Sequence, residues 1–168
     1  VRAALFTGAR YGELARLNIN DFDPTSGTLS VRVSKAGRGR HVYLDAEAVE
    51  FFSEITAGRA GDETMLVRKG GGSWDRSHQT RPMRQTCKRS KVTPAAGFHV
   101  LRHSAASRWI MGGLSLSVVA AQLGHADSRM CDRHYAHLAE SHIRDAIRSM
   151  PALGISDSGN VVALDGAR

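Results

Sequence analysis

The sequence predicts an α+β domain, mainly α-helical, with a small antiparallel β-sheet on one edge. Three observations carry this. Several segments repeat apolar residues at helical spacing, such as "AEAVEFFSEIT" and "GFHVLRHSAASRWIMGG". Only two short segments, "TLSVRV" (28 to 33) and "RHVYL" (40 to 44), alternate in the manner of strands. At 168 residues and 18.2 kDa, with 42% hydrophobic residues, the chain suits one domain with its own core.

Residues 2 to 17 read as helical, interrupted at Gly8. Asp23-Pro24-Thr25-Ser26-Gly27 is a turn cluster. The two alternating segments flank "SKAGRGR", which predicts a hairpin with a basic, glycine-bearing tip. Asp45 is placed to cap a helix over 46 to 56. "GRAGDE" and "KGGGS" are loops, and "TMLV" between them is a short extended piece. Residues 76 to 90 read as a basic helix whose start Pro82 kinks or delays. Helices are expected at 98 to 111, 116 to 123 and 139 to 148, and Gly124 ends the second of these. A domain over 1 to 150 and a loose tail over 151 to 168 follow from the loss of periodicity after Pro151. Val1 falls inside a helical pattern, which predicts a preceding N-terminal region.

Charge narrows the function classes. Lys and Arg number 23 against 16 acids, for a net charge of +7. From Arg76 to Ala126 there is no acid, but there are eight cations: Arg76, Arg81, Arg84, Lys88, Arg89, Lys91, Arg102 and Arg108. A second acid-free stretch, 26 to 44, holds Arg32, Lys35, Arg38 and Arg40. Solvated faces normally mix both signs, so segregation on this scale favours a nucleic-acid surface. No apolar run reaches membrane-spanning length, and no signal-peptide pattern opens the chain. Cys87 and Cys131 lack metal-type spacing and read as lone thiols.

Residues 97 to 113 gather His99, Arg102, His103 and Arg108 and supply no carboxylate. The balancing anion therefore lies elsewhere in the fold or outside the protein. His99 and Arg102 share a helix face, an arrangement that a structural polar pair would also produce. His99 and His103 have the i, i+4 spacing of two zinc ligands, but no Glu follows the first and no third ligand is evident, so no metal is expected. Further on, "LGHADSRMCDRHYAHL" sets His125 at a helix-to-loop corner, with Tyr135 ten residues later between His134 and His137. Near the start, "TGARYGEL" places Arg10 three residues before Glu13, either as an ion pair across one turn or as an arginine aimed at phosphate.

Taken in order, "TGARYGEL", "SKAGRGRHVYL", "FHVLRHSAASRWI" and "LGHADSRMCDRHYAHL" resemble the catalytic domain of the tyrosine recombinases, the phage-integrase family. The resemblance spans roughly residues 3 to 150. It implies site-specific DNA cleavage and rejoining through a covalent 3′-phosphotyrosine link. In that scheme Tyr135 is the nucleophile, and Arg10 and Arg102 hold the phosphate. His99 is a base or an orienter of the phosphate. His125 donates to a non-bridging oxygen, and Lys35 gives a proton to the leaving 5′-oxygen. Glu13 and His103 support the site, and Arg38, Arg40, Arg76, Arg81, Arg84, Lys88, Arg89 and Lys91 face DNA. The resemblance further implies double-stranded DNA as partner, a tetramer on that DNA, no cofactor, no small-molecule substrate and no membrane. It places the protein in the bacterial cytoplasm and implies a separate N-terminal DNA-binding domain. Cys131 departs from the family pattern, where many relatives carry Thr. Alternatives of other classes are a non-catalytic DNA-binding remnant and a type IB topoisomerase-like strand transferase, with a metal hydrolase as the outside choice.

Overall fold

The structure, a computed structural model, describes residues 1–32, 39–125 and 129–151. Lys35, Arg38 and all of the expected tail except Pro151 lie outside them. The first helix, α1 (Arg2–Thr7), stops at Gly8, which adopts left-handed φ of 58°. A short α2 (Tyr11–Leu14) follows, opened by reciprocal bonds between Arg10 and Glu13. Three antiparallel strands come next, β1 (Phe22–Asp23), β2 (Thr28–Val31) and β3 (Arg40–Tyr43), in the order β1-β2-β3. Then come α3 (Ala46–Thr56), α4 (Thr80–Arg89), α5 (Phe98–Met111), α6 (Leu116–Leu123) and α7 (Arg129–Arg148).

Local chemistry sets most boundaries. The Asp45 carboxylate accepts from the Ala48 amide at 2.9 Å, as expected of a capping residue. Pro82 lies in the first turn of α4, where its missing N–H costs nothing, so the helix begins at Thr80 and not at residue 76. Ser115 caps α6, and left-handed Gly124 closes it. The sheet has one strand more than expected, because Phe22-Asp23 pairs with Leu29 and Thr28 across the turn cluster. The last helix starts at Arg129, ten residues before its expected start at 139. Its anchors are Cys131, Tyr135 and Leu138, an i, i+4, i+7 set facing the core among polar neighbours.

The core has two parts. The larger joins the sheet to α1, α3, α4 and the start of α5, through Leu29, Val42, Phe52 and Met65 among others. The smaller unites α5, α6 and α7 around Ala106, Ile110, Val119, Leu123, Cys131 and Tyr135. Several contacts tie the parts together. Helix α1 packs on α5. The Gln122 side chain, at the end of α6, both donates to the Tyr43 carbonyl and accepts from the Tyr43 amide, each at 3.0 Å. The end of α6 is thereby fastened to strand β3.

Gly8 lies where these layers meet. A Cβ there would approach Leu123 to 2.8 Å and Trp109 to 3.0 Å, in a backbone conformation already unfavourable for other residues. Gly8→Ala should cost about 1–2 kcal/mol for the left-handed geometry, with overpacking of about 1–3 kcal/mol on top. Thermal unfolding should show a Tm drop of several degrees; an unchanged Tm would mean that Leu123 and Trp109 yield freely.

Candidate active site

The site forms where the ends of α1 and α6, the start of β3 and the middles of α5 and α7 converge. Glu13 is its centre. It is 5% exposed, and each of its oxygens serves two donors. Oε2 accepts from the Arg10 amide at 2.8 Å and from Arg40 Nη2 at 2.9 Å. Oε1 accepts from Arg10 Nη1 at 3.1 Å and Arg40 Nη1 at 3.2 Å. Burial pushes the Glu13 carboxyl up, but the Arg40 guanidinium and the donors from Arg10 outweigh it and hold the group below its ordinary value.

Arg102 is buried, and its two terminal nitrogens donate to the carbonyls of Gly8 and Leu123, each at 2.7 Å. These are carbonyls at the ends of α1 and α6, where the helix dipole is negative. Burial, then the nearby charges of Arg10 and Arg40, lower its pKa to about 10, so it stays cationic at neutral pH. Arg10, Arg40 and Arg102 thus surround one carboxylate, a surplus of two positive charges. Arg10 keeps nearly half its side chain exposed, which opens the cluster to solvent.

Tyr135 is buried on α7, and its hydroxyl is hydrogen-bonded to His103 Nδ1 on α5. His103 Nε2 in turn lies 3.0 Å from His99 Nε2. Burial, with Cys131 close by, raises the Tyr135 pKa, and the proximity of Arg102 works against that. Burial also lowers His103, helped by neighbouring His99, His134 and Arg102. His125 follows Gly124, and its amide donates to the Ala120 carbonyl at 3.0 Å. Its Nδ1 lies 3.3 Å from the Cys131 sulfur.

The sequence expectations fare unequally. Arg10, Glu13, Arg102, His103 and Tyr135 are linked by contact or by electrostatic reach, and His99 joins them through His103. His125 adjoins this group, one residue past Gly124. Lys35 and Arg38 lie outside the described residues. Arg76, Arg81, Arg84, Lys88, Arg89 and Lys91 are all exposed on or beside α4, while Met83 and Cys87 face inward. Arg40 is corrected: it does not stand on an outer face but is nearly buried, bound to Glu13 and to the Gln122 carbonyl. Strand alternation carried that signal, because Arg40 has the parity of buried Val42. Arg32 and Arg108, from the acid-free stretches, are paired with Asp21 and Asp45. Cys87 and Cys131 are both buried, and neither is part of a disulfide. Of the other tyrosines, Tyr11 donates to the Asp75 carbonyl at 2.6 Å and Tyr43 is 68% exposed.

Known proteins resemble the chain in sequence and in fold. The profile described as "Phage integrase family" matches residues 1–142. The chain is 30% identical to the integrase of Escherichia phage 186, over 94% of this chain and 42% of that protein. It is 29% identical to tyrosine recombinase XerD of Mycobacterium tuberculosis, over 71% of this chain and 41% of that one. The chain thus spans less than half the length of these relatives. Among solved structures, XerA recombinase superposes with TM-score 0.70 at 27% identity, over 88% of this chain and 56% of that chain. The catalytic domain of bacteriophage HP1 integrase gives 0.59 at 26% identity, over 92% of this chain and 82% of that one.

Replacing Glu13 with Gln should leave Arg40 beside Arg10 without a counter-charge, a loss of about 3–5 kcal/mol for a broken buried pair. Because the folded carboxyl is held below its ordinary value of 4.5, its contribution is present above that pH and fades as pH falls through the folded value. Denaturant titrations from pH 7 to pH 3 should show this fade in the wild type and a flatter profile in Glu13→Gln; parallel profiles would refute the assignment.

Proposed function

Since the chain belongs to the phage integrase family, we propose that it is the strand-cutting and rejoining part of a site-specific DNA recombinase. The observation that carries this is the surplus of positive charge around Glu13, set within electrostatic reach of a buried tyrosine. A phosphodiester is the anion such a centre lacks. As the phosphorus is attacked, charge grows on its non-bridging oxygens, and fixed cations lower that barrier without reorganising. Arg10, accessible and held by Glu13, is suited to a forked contact with the phosphate. Arg102 supplies charge from behind, with its orientation fixed by two carbonyls. His125, at the corner after α6, donates to a phosphate oxygen.

Tyr135 attacks and forms the 3′-phosphotyrosyl link. A free 5′-hydroxyl leaves, with its proton supplied by Lys35 as the family resemblance implies. Rejoining reverses these steps, and because the ester retains the energy of the broken bond, neither ATP nor a metal ion is called for. The six exposed cations of α4 and its flanks form no salt bridge among the described residues, so they are available to phosphates along the duplex. The partner is double-stranded DNA, on which the protein works as a tetramer in the bacterial cytoplasm. Among the described residues no helix is long and apolar enough to cross a membrane.

Two experiments test this. On a nicked duplex pool of randomised sequence, the wild type should become covalently attached and Tyr135→Phe should not, with binding nearly equal. Adducts persisting in the variant would move the nucleophile to Tyr11 or Tyr43, or end the reading. Binding should weaken steeply between 50 and 200 mM salt, by about 10³-fold or more if six or more phosphates are contacted. A nearly flat salt dependence would remove α4 from the interface.

A further inference from the structure

We propose that Cys131 is a positioning residue: its thiol donates to His125 Nδ1 and so presents the Nε2–H of that ring to the scissile phosphate. This rests on the strand-transfer reading above, in which His125 is a phosphate donor. What is added is the group that aims it. The Cys131 sulfur lies 3.3 Å from His125 Nδ1. Cys131 is fully buried in the small core formed by α5, α6 and α7. It lies in the first turn of α7, one turn before Tyr135. His125 is half-buried and follows the Gly124 turn that closes α6. The contact thus runs from the helix of the nucleophile to the corner that carries the phosphate donor.

The protons can be assigned by counting donors. A neutral imidazole has one N–H and one lone pair. Donation to a phosphate oxygen uses the N–H. The two nitrogens point to different sides of the ring, so the one turned to the buried sulfur is not the one turned to substrate. Nδ1 therefore holds the lone pair, and the S–H of Cys131 is the donor that meets it. With the proton on Nδ1 instead, a lone pair on Nε2 would face an anion and repel it. The tautomer of a histidine is set by the partner of its other nitrogen, and here that partner is a thiol. A thiol is a weak donor, but burial removes the water that would compete with it.

The backbone of His125 is already fixed. Gly124 is left-handed, with φ of 69°, and the His125 amide donates to the Ala120 carbonyl at 3.0 Å. The rotation of the ring remains to be set, and the sulfur sets it. Arg10 and Arg102 are oriented in the same manner, by Glu13 and by two carbonyls. Cys131 and Tyr135 share one face of α7 at i, i+4 spacing. A shift of α7 therefore carries the nucleophile and the support of the phosphate donor together. The thiol itself is unchanged by the reaction.

The test compares Cys131→Thr with Cys131→Val in single-turnover cleavage of the randomised nicked pool. The two side chains have nearly the same shape, and only Thr has a donor. Cys131→Thr should retain most of the rate, and Cys131→Val should slow about tenfold, the size of one hydrogen bond. Thermal unfolding should give the opposite order, with Val at least as stable as Thr, because a buried hydroxyl costs more than a methyl. A Val variant at the wild-type rate overturns the proposal, as do rates that follow stability. In a His125→Ala background, Cys131→Val should slow nothing further; an undiminished loss there would mean that Cys131 does not act through His125. If Cys131→Val loses its helical circular dichroism, Cys131→Ala replaces it. Nitrogen-15 NMR of the free protein supplies an arm that needs no DNA, with the His125 signals identified by their loss in His125→Ala. The neutral His125 ring should carry its proton on Nε2 in the wild type and in Cys131→Thr, and mix tautomers in Cys131→Val. A proton on Nδ1 in the wild type overturns the proposal. A wild type that forms no covalent adduct ends the strand-transfer reading and the catalytic purpose of the contact with it, while the NMR arm still decides the contact itself.

Discussion

The structure depends on one buried carboxylate. Glu13 has four acceptor sites, and all four are used by Arg10 and Arg40. An isolated buried charge is prohibitively costly, and a buried pair is tolerable only when its remaining hydrogen bonds are made. Glu13 meets that condition in full. It also joins two parts of the chain, since Arg10 and Glu13 stand at the start of α2 and Arg40 opens β3. The helical and sheet portions of the larger core are held in register by this ion cluster as well as by packing.

Arg102 is held differently. No carboxylate touches it among the described residues; backbone carbonyls at the ends of α1 and α6 do. These are the acceptors a helix end leaves over, and a buried guanidinium satisfies one on each helix. Arg40 does likewise for the Gln122 carbonyl at 2.9 Å. Three consecutive features of α6 therefore face cations or the strand: the Gln122 and Leu123 carbonyls and the Gly124 turn. A Cβ on Gly124 would come within 2.8 Å of Arg40, so a side chain there would dislodge the guanidinium. The glycine before His125 serves both the chain reversal and the close approach of a cation.

Much of this was legible in the sequence. The bounds of α3, α5 and α6 agree with their apolar spacing and caps, because in each the local signals and the tertiary demand coincide. The start of α7 was obscured because its anchors are a cysteine, a tyrosine and a leucine set among charged and imidazole side chains. Strand β1 has only two residues, too few for any alternation to show. Arg40 read as surface from its charge alone, although its parity with Val42 points inward. The His103 contact could not be read at all, since the pairing of α5 with α7 is a long-range fact. Sequence spacing gave His99 and Arg102 a shared face, whereas the fold turned His103 toward Tyr135.

The Gln122–Tyr43 contact has a consequence for self-association. Strand β3 is at the edge of its sheet, and an open edge is a template for further strands. At Tyr43 both backbone groups are taken up by the amide of Gln122, which imitates a neighbouring strand for one residue. The edge is closed there by a side chain from a helix. Copies of this chain cannot zip together through β3 at that point without first breaking two hydrogen bonds.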